Sequence, residues 1–397
     1  MGSNQGSRKL TYLLVFLAFI VVAAFTLRRV AGPQLRAMSM LLLFTNQDSH
    51  GLGTQFARHP CTIEDGSALT ADGTLRYRLY IPKDVRDPGG VVLVPGVHHL
   101  GIEDPRLQNL ARALAGTGIL VMTPELQDLA DYRISPRSIH EIGIFAVILS
   151  TRMKRTVGIM GLSFSGGLAL LAARQEDVAK HIGYILAIGA HDDMSRVARF
   201  FATDMTTLPD GTEIHLKAHE YGALILVYSH LEDFFSSADV PVARQALREW
   251  LWEQPDAMKI AAKMSPAGQE KFNNLLHHRD LLRPALLQEI NRRQEEMDAV
   301  SPHGQLSELR TPVYLLHGAG DTVIPASETV WLAHEVPATE LRAMLISPAL
   351  VHVDMDHEVT LQQRWALVEF LGKVIRQTDN LPKEIVNLHT NALAVSH

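Results

Sequence analysis

A single cysteine, Cys61, occurs among the 397 residues. No intrachain disulfide can staple the chain, so its stability must rest on a buried core, which this length permits. The lack of disulfides leaves the compartment open, because such a chain can live on either side of a membrane. Cys61 lies between Pro60 and Thr62, outside any strand–turn–helix pattern, and does not read as a nucleophile. Excess positive charge is also missing: the formal net charge is −6, which argues against nucleic acid as a partner. The sequence has no internal repeat and no low-complexity tract. With 47% apolar and 20% charged residues, its composition is that of a globular protein.

One long uncharged run is present, Leu10 to Leu27, with Arg8-Lys9 before it and Arg28-Arg29 after it. As a helix it would span roughly 27 Å, close to the hydrocarbon thickness of a bilayer. A cleaved signal peptide would have a shorter apolar core and a small-residue cleavage site, so the run fits an uncleaved single-pass anchor better. Positive charge at both ends does not choose an orientation. A second apolar patch, Met38 to Phe44, is too short to span and is expected on the membrane surface or on the domain.

Leu75 to Ile81 alternates apolar and polar residues, as a half-exposed antiparallel strand does, and Asp72-Gly73 before it is a hairpin turn signal. From residue 90 the strands become continuous apolar runs: Val91 to Val94, Ile119 to Met122, Val157 to Met160, Tyr184 to Ile188, Pro312 to His317 and Leu341 to Ile346. Helical stretches alternate with them at about 105–115, 138–151 and 360–376. This rhythm predicts an α/β fold, a mostly parallel sheet with helices on both faces. Residues 195 to 308 break it with a polar, helix-rich stretch that predicts a cap inserted over the sheet. Within it Ala223 to Tyr228 fits a strand or a helix equally, and the Arg/Gln/Glu run from Gln288 to Glu296 reads as a solvated helix face.

The chemistry concentrates at Gly161-Leu162-Ser163-Phe164-Ser165-Gly166-Gly167, between a buried strand and an apolar helix. A serine at such a turn projects from the sheet edge with a helix N-terminus directed toward it, the geometry of a nucleophile elbow. Ser165 stands where G-x-S-x-G has its last glycine, so Ser165 is the rival nucleophile. Ser163 is favoured because it follows the strand at the usual distance, whereas Ser165 would already be in the helix.

A serine needs a base, and the base needs a carboxylate to fix its tautomer. Asp321 follows the strand ending at His317 in a glycine-rich turn, and is expected to be the acid. His352, in the loop after the last strand, is expected to be the base, with His357 the alternative; His352 is preferred on reach. Two backbone N–H groups should hold the oxyanion, that of Phe164 after the nucleophile and that of Val97 after Pro95-Gly96. His317 is expected to pack at its strand end. Histidines cluster at His98-His99, His191-Asp192-Asp193, His277-His278 and His352 to His357. No helix-spaced pair has an evident third ligand, so neither metal nor cofactor is expected.

These residues carry a resemblance. From about residue 70 to 378 the chain resembles the α/β-hydrolase superfamily, with Ser163, Asp321 and His352 in the family's order of nucleophile, acid and base. Pro95-Gly96 is similar to its His-Gly oxyanion loop, with proline in place of histidine. The chain is therefore expected to divide into the anchor read from the apolar run over 1–30, a linker or membrane-proximal segment over 31–69, the α/β-hydrolase domain of this resemblance over 70–378 with a cap at about 195–308, and a tail over 379–397. The expected activity is hydrolysis of an ester, thioester or amide. The expected partners are a small-molecule acyl substrate, lipid-like by location, and the membrane. Acyl transfer by the same triad and a non-catalytic binding module are the alternatives.

Overall fold

The structure is a computed structural model that describes residues 31–45, 51–70, 73–351, 354–355, 359–382 and 395–396. The chain opens with helix α1 (31–45), followed by a hairpin of β1 (Cys61–Thr70) and β2 (Gly73–Pro82). Strand–helix alternation then begins: β3 (Gly90–Val94), α2 (Pro105–Gly116), β4 (Leu120–Pro124), α3 (Gln127–Ala130), α4 (Pro136–Met153), β5 (Val157–Leu162), α5 (Phe164–Ala172), α6 (Glu176–Ala179) and β6 (Ile182–Ile188).

The insertion starts with α7 (Met194–Thr203) and a short hairpin, β7 (Met205–Thr207) with β8 (Glu213–His215). It continues through α8 (Glu220–Ser229), α9 (Leu231–Phe234), α10 (Val240–Leu251), α11 (Ala257–Ala261), α12 (Pro266–His277), α13 (Arg279–Arg292) and α14 (Gln294–Asp298). The alternation resumes with β9 (Val313–Gly318), α15 (Ser327–Glu335), β10 (Leu341–Ser347), β11 (Leu350–Val351), β12 (Asp354–Met355) and α16 (Leu361–Asp379), and ends at β13 (Val395–Ser396).

The main sheet has the order β10-β9-β6-β5-β3-β4-β2-β1-β13. Pairings from β10 to β4 are parallel, and those of β2 with β4 and with β1 are antiparallel. The apolar runs are explained by burial on both faces, since every residue of β3, β4, β5 and β9 is buried. Alternate residues feed two cores: Val92 and Val94 join α4, α5 and the insertion, while Val91 and Leu93 join α1, α2 and α16.

Several helix starts are legible in local chemistry. Asp104 caps α2 by accepting from the Arg106 N–H at 2.8 Å, with Pro105 next. Asp193 caps α7 through the N–H groups of Ser195 and Arg196. Thr360 and Gln363 form a capping box on α16.

Two segments differ from expectation, and two alternatives left open by the sequence are settled. Part of the 31–69 segment is strand β1, paired along its length with β2, so the Asp72-Gly73 signal joins two strands. Its mixed pattern reflects an outer strand with little burial, Ala68 alone of its ten residues being buried. The patch from Met38 to Phe44 belongs to α1, which lies on the domain: Ala37 and Met40 are buried, and Arg36 Nη1 meets Asp379 Oδ2 at 2.6 Å. Ala223 to Tyr228 is helical, in α8, where all six residues are buried and no polar face marks the helical period. The Gln288–Glu296 run is only partly solvated, since Glu289 is buried and pairs with Arg293 at 2.8 Å.

Among the described residues no helix is long and apolar enough to cross a membrane. The run Leu10 to Leu27 lies outside them.

Candidate active site

The parallel strands bring their C-terminal ends to one edge. Val94 pairs with Gly161, Leu162 with Ile188, Ile188 with Leu316, and Gly318 with Ser347. The loops after β3, β5, β9 and β10 therefore leave side by side. Cys61 pairs with Pro82 at the start of the antiparallel hairpin, and burial pushes its thiol up, away from thiolate reactivity.

Ser163 occupies the turn from β5 into α5 with φ 56° and ψ −133°, a conformation that non-glycine residues rarely adopt. Its N–H donates to the Ile188 carbonyl at 2.7 Å and its carbonyl accepts from the Gly166 N–H at 2.9 Å, so the turn is held from both sides. The flanking glycines are there for space: a Cβ on Gly161 would fall 2.5 Å from the Ser165 carbonyl, and one on Gly166 2.7 Å from the Ala190 methyl. Ser165 is fully buried, and its hydroxyl donates to the main-chain carbonyl of Pro95. That bond gives this serine a use which the motif's glycine could not supply. Ser165 lies inside α5, as expected, while Ser163 stands at its N-terminus.

Asp321 is 1% exposed. Its Oδ1 accepts from the N–H groups of Val323 at 2.8 Å and Ile324 at 3.0 Å, which fixes the carboxylate in the turn after β9. The loop is also tied to the next strand, since the Ala319 N–H donates to the Ser347 carbonyl at 3.0 Å. His317 is wholly buried in β9, bonded to Thr329 Oγ1 at 2.6 Å and to the Ile324 carbonyl at 2.8 Å. Its packing role stands. His352 and His357 lie outside the described residues; the chain that carries them leaves from β10 through β11, beside the Asp321 loop.

The loop after β3 passes over the elbow, where a Cβ on Gly96 would stand 3.4 Å from the Ser163 Cβ. Among the described residues, the N–H groups of Val97 and Phe164 donate to no protein acceptor. A pocket of about 100 Å³ opens here, walled by Val97, Leu107, Leu110, Leu162, Phe164 and Val323, with Ser163 at its base. Phe44 of α1 and Tyr221 of α8 close two of its sides. Neither was legible in the sequence as a site residue, because each reaches the elbow from a distant part of the chain, Phe44 from before the sheet and Tyr221 from the insertion.

The first turn of α8 touches two of the loops. The Tyr221 hydroxyl donates to the Val97 carbonyl at 2.8 Å, and the His219 N–H donates to the Thr322 carbonyl at 2.8 Å. Beside the pocket, burial holds His98 below the ordinary imidazole value although the Asp104 carboxylate lies 3.5 Å away. His191, behind the elbow, is pushed down to about 4 by burial and bonds the Val300 carbonyl through Nε2 at 2.8 Å.

Among the described residues, the rings of His98 and His99 stay together, 4.6 Å apart. His99 stacks on Trp252 at 5.3 Å, and His277 meets Trp250 edge-on. Two groups of histidine and carboxylate atoms do lie within 4.8 Å of one another: Asp192, His303 and Glu335, and His230, Asp233 and Glu289. Each is already served by arginine. Arg196 reaches Asp192 at 2.8 Å, and Arg293 reaches Asp233 at 2.7 Å and Glu289 at 2.8 Å. Both groups thus belong to ion-pair networks, the first joining the insertion to α15 and the second lying within the insertion.

No protein-family model matches the chain, and no curated protein matches it. Solved structures do. A Legionella pneumophila protein put forward as a hydrolase aligns over 86% of this chain and 94% of its own, with a TM-score of 0.54 at 13% identity. The esterase of Pyrobaculum calidifontis aligns over 87% and 91%, with a TM-score of 0.45 at 15% identity. The meta-cleavage product hydrolase of Pseudomonas fluorescens aligns over 78% and 97%, with a TM-score of 0.40 at 16% identity. Identities this low speak to architecture alone. With the strand order and the β5–Ser163–α5 turn, the Legionella alignment shows that this chain has the α/β-hydrolase fold.

Proposed function

We propose that the chain is a serine hydrolase that cleaves an ester, thioester or amide through an acyl-enzyme, held at a membrane by the run Leu10 to Leu27. The observation that carries this reading is Ser163 at positive φ between β5 and α5, on the same sheet edge as the buried carboxylate of Asp321. Ser163 Oγ attacks the carbonyl carbon while His352 takes its proton. Asp321 holds the imidazole in the productive tautomer and stabilises the imidazolium. The N–H groups of Val97 and Phe164 receive the oxyanion, helped by the N-terminus of α5. Collapse of the tetrahedral intermediate expels the leaving group, which takes its proton from His352, and water then releases the acid by the same steps.

The mainly aliphatic and aromatic walls favour an apolar acyl chain, and Phe44 stands where a longer chain would press. The test is reaction of purified protein with a fluorophosphonate, together with turnover of p-nitrophenyl esters of graded chain length. The expected results are one adduct on Ser163 and a length optimum that Phe44→Ala moves to longer chains. Absence of any adduct, with a control hydrolase labelled in parallel, would sink the hydrolase reading. Removal of residues 1–30 is expected to shift the protein from the membrane to the soluble fraction.

A further inference from the structure

The Pro95-Gly96-Val97 segment has few restraints of its own. Proline has no N–H, glycine stiffens nothing, and among the described residues no loop-type backbone hydrogen bond involves these three positions. Two side chains hold it instead. From beneath, the Ser165 hydroxyl donates to the Pro95 carbonyl. From the insertion, the Tyr221 hydroxyl donates to the Val97 carbonyl at 2.8 Å. The Gly96–Val97 peptide, whose N–H is the one assigned to the oxyanion, lies between the two anchored carbonyls.

We propose that Ser165 and Tyr221 are positioning residues that clamp the oxyanion-binding loop from both sides, and that Tyr221 makes this clamp depend on the seating of the cap. The proposal rests on the hydrolase reading above. An oxyanion donor is useful only when it is fixed before the charge develops, because reorientation during the reaction consumes the stabilisation. A bond on each flanking carbonyl removes the rotations that would swing the Val97 N–H.

Tyr221 is itself well fixed. It meets Tyr132 edge-on at 5.7 Å, and its N–H is capped by His219 Nδ1 at 3.3 Å. The segment leading to it hangs on Asp204, whose carboxylate accepts from the Ala218 N–H at 2.8 Å and pairs with Arg279 at 2.5 Å. Burial raises the phenol well above its ordinary value, so its hydroxyl keeps its proton across the working pH range. Because His219 in the same turn bonds the Thr322 carbonyl, one turn of the cap braces the oxyanion loop and the acid loop together.

The experiment uses the full chain and its Tyr221→Phe and Ser165→Ala variants, each of which removes one hydroxyl. Readouts are kcat and KM on a p-nitrophenyl ester, affinity for an alkyl boronic acid that forms a tetrahedral adduct on the nucleophile, and the thermal midpoint. Each variant is expected to lose about tenfold in kcat and about tenfold in boronate affinity, with KM within about twofold of wild type; the carbonyl left without its donor lowers the midpoint by a few degrees at most. Wild-type kcat and boronate affinity in both variants would overturn the clamp. So would a fall in kcat matched by an equal rise in KM and a larger fall in the midpoint, which is the signature of packing alone. Should Tyr221→Phe fail to fold, Ser165→Ala decides by the same criteria. Failure of the wild type to react with a fluorophosphonate would instead remove the hydrolase reading on which the clamp stands.

Discussion

The hydroxyl of Ser165 donates to the main-chain carbonyl of Pro95 across seventy residues of sequence. The atom that makes the elbow motif imperfect is therefore the atom that joins the elbow to the loop above it. It also separates the two serines chemically: Ser165, inside α5, spends its Oγ on the Pro95 carbonyl, whereas Ser163 sits on the strained turn at the pocket base. Ser163→Ala is expected to abolish fluorophosphonate labelling and turnover while far-UV circular dichroism stays unchanged. Ser165→Ala is expected to keep the label, acquired more slowly. The reverse pattern would make Ser165 the nucleophile.

Asp321→Asn isolates charge from shape. An asparagine Oδ1 can still accept from the Val323 and Ile324 N–H groups, so the turn should survive with its melting temperature little changed. On the proposed mechanism, what it loses is the carboxylate that selects the imidazole tautomer. A fall in kcat of about 10⁴-fold is expected, on the scale found when a triad carboxylate is made neutral. A variant within tenfold of wild type would show that another acid serves the base.

His352→Ala and His357→Ala, compared on one ester, settle the base. The His352 variant is expected to lose kcat by about 10⁴-fold, and the His357 variant to remain within about tenfold of wild type. Titration of kcat/KM adds an independent check, since its acid limb reports the base in the free enzyme and should vanish in the variant that lacks it.

His191 makes stability depend on pH. Burial depresses its folded value to about 4, against about 6.5 in an unfolded chain. Below 6.5 the unfolded state binds a proton that the folded state refuses, so this contribution is complete above about pH 6.5 and is lost as pH falls toward 4. The loss amounts to about 3 kcal/mol for a shift of this size. Urea midpoints between pH 7 and pH 4 should fall for the wild type and fall distinctly less for His191→Gln. Equal slopes would show that carboxylates, not this imidazole, carry the dependence.

Much of this was legible before any coordinates. The strands buried on both faces announce themselves as apolar runs, and the elbow is visible because it needs small residues at fixed spacing. Strand β1 escaped because an outer strand with one buried residue in ten leaves almost no alternation to read. Helix α8 stayed ambiguous because Ala223 to Tyr228 is buried all round, which erases the period that separates helix from strand. Phe44 and Tyr221 had no local signature: each matters through a contact set by the tertiary fold. Ser165 was visible as a departure from the motif, but the partner that explains it is a carbonyl group, and every residue has one.

The insertion between β6 and β9 begins and ends on neighbouring strands, with Ile185 paired to Val313. Its two ends are thus already joined by the sheet, so lengthening it adds little to the entropy of closing the loop. In engineering terms this is a cassette position: a foreign cap grafted between Ile188 and Val313 would leave the strand register and the Ser163 turn as they are. It would also carry an obligation. A graft that shapes a new pocket but brings no donor to the Val97 carbonyl should bind its ligand well and turn it over slowly.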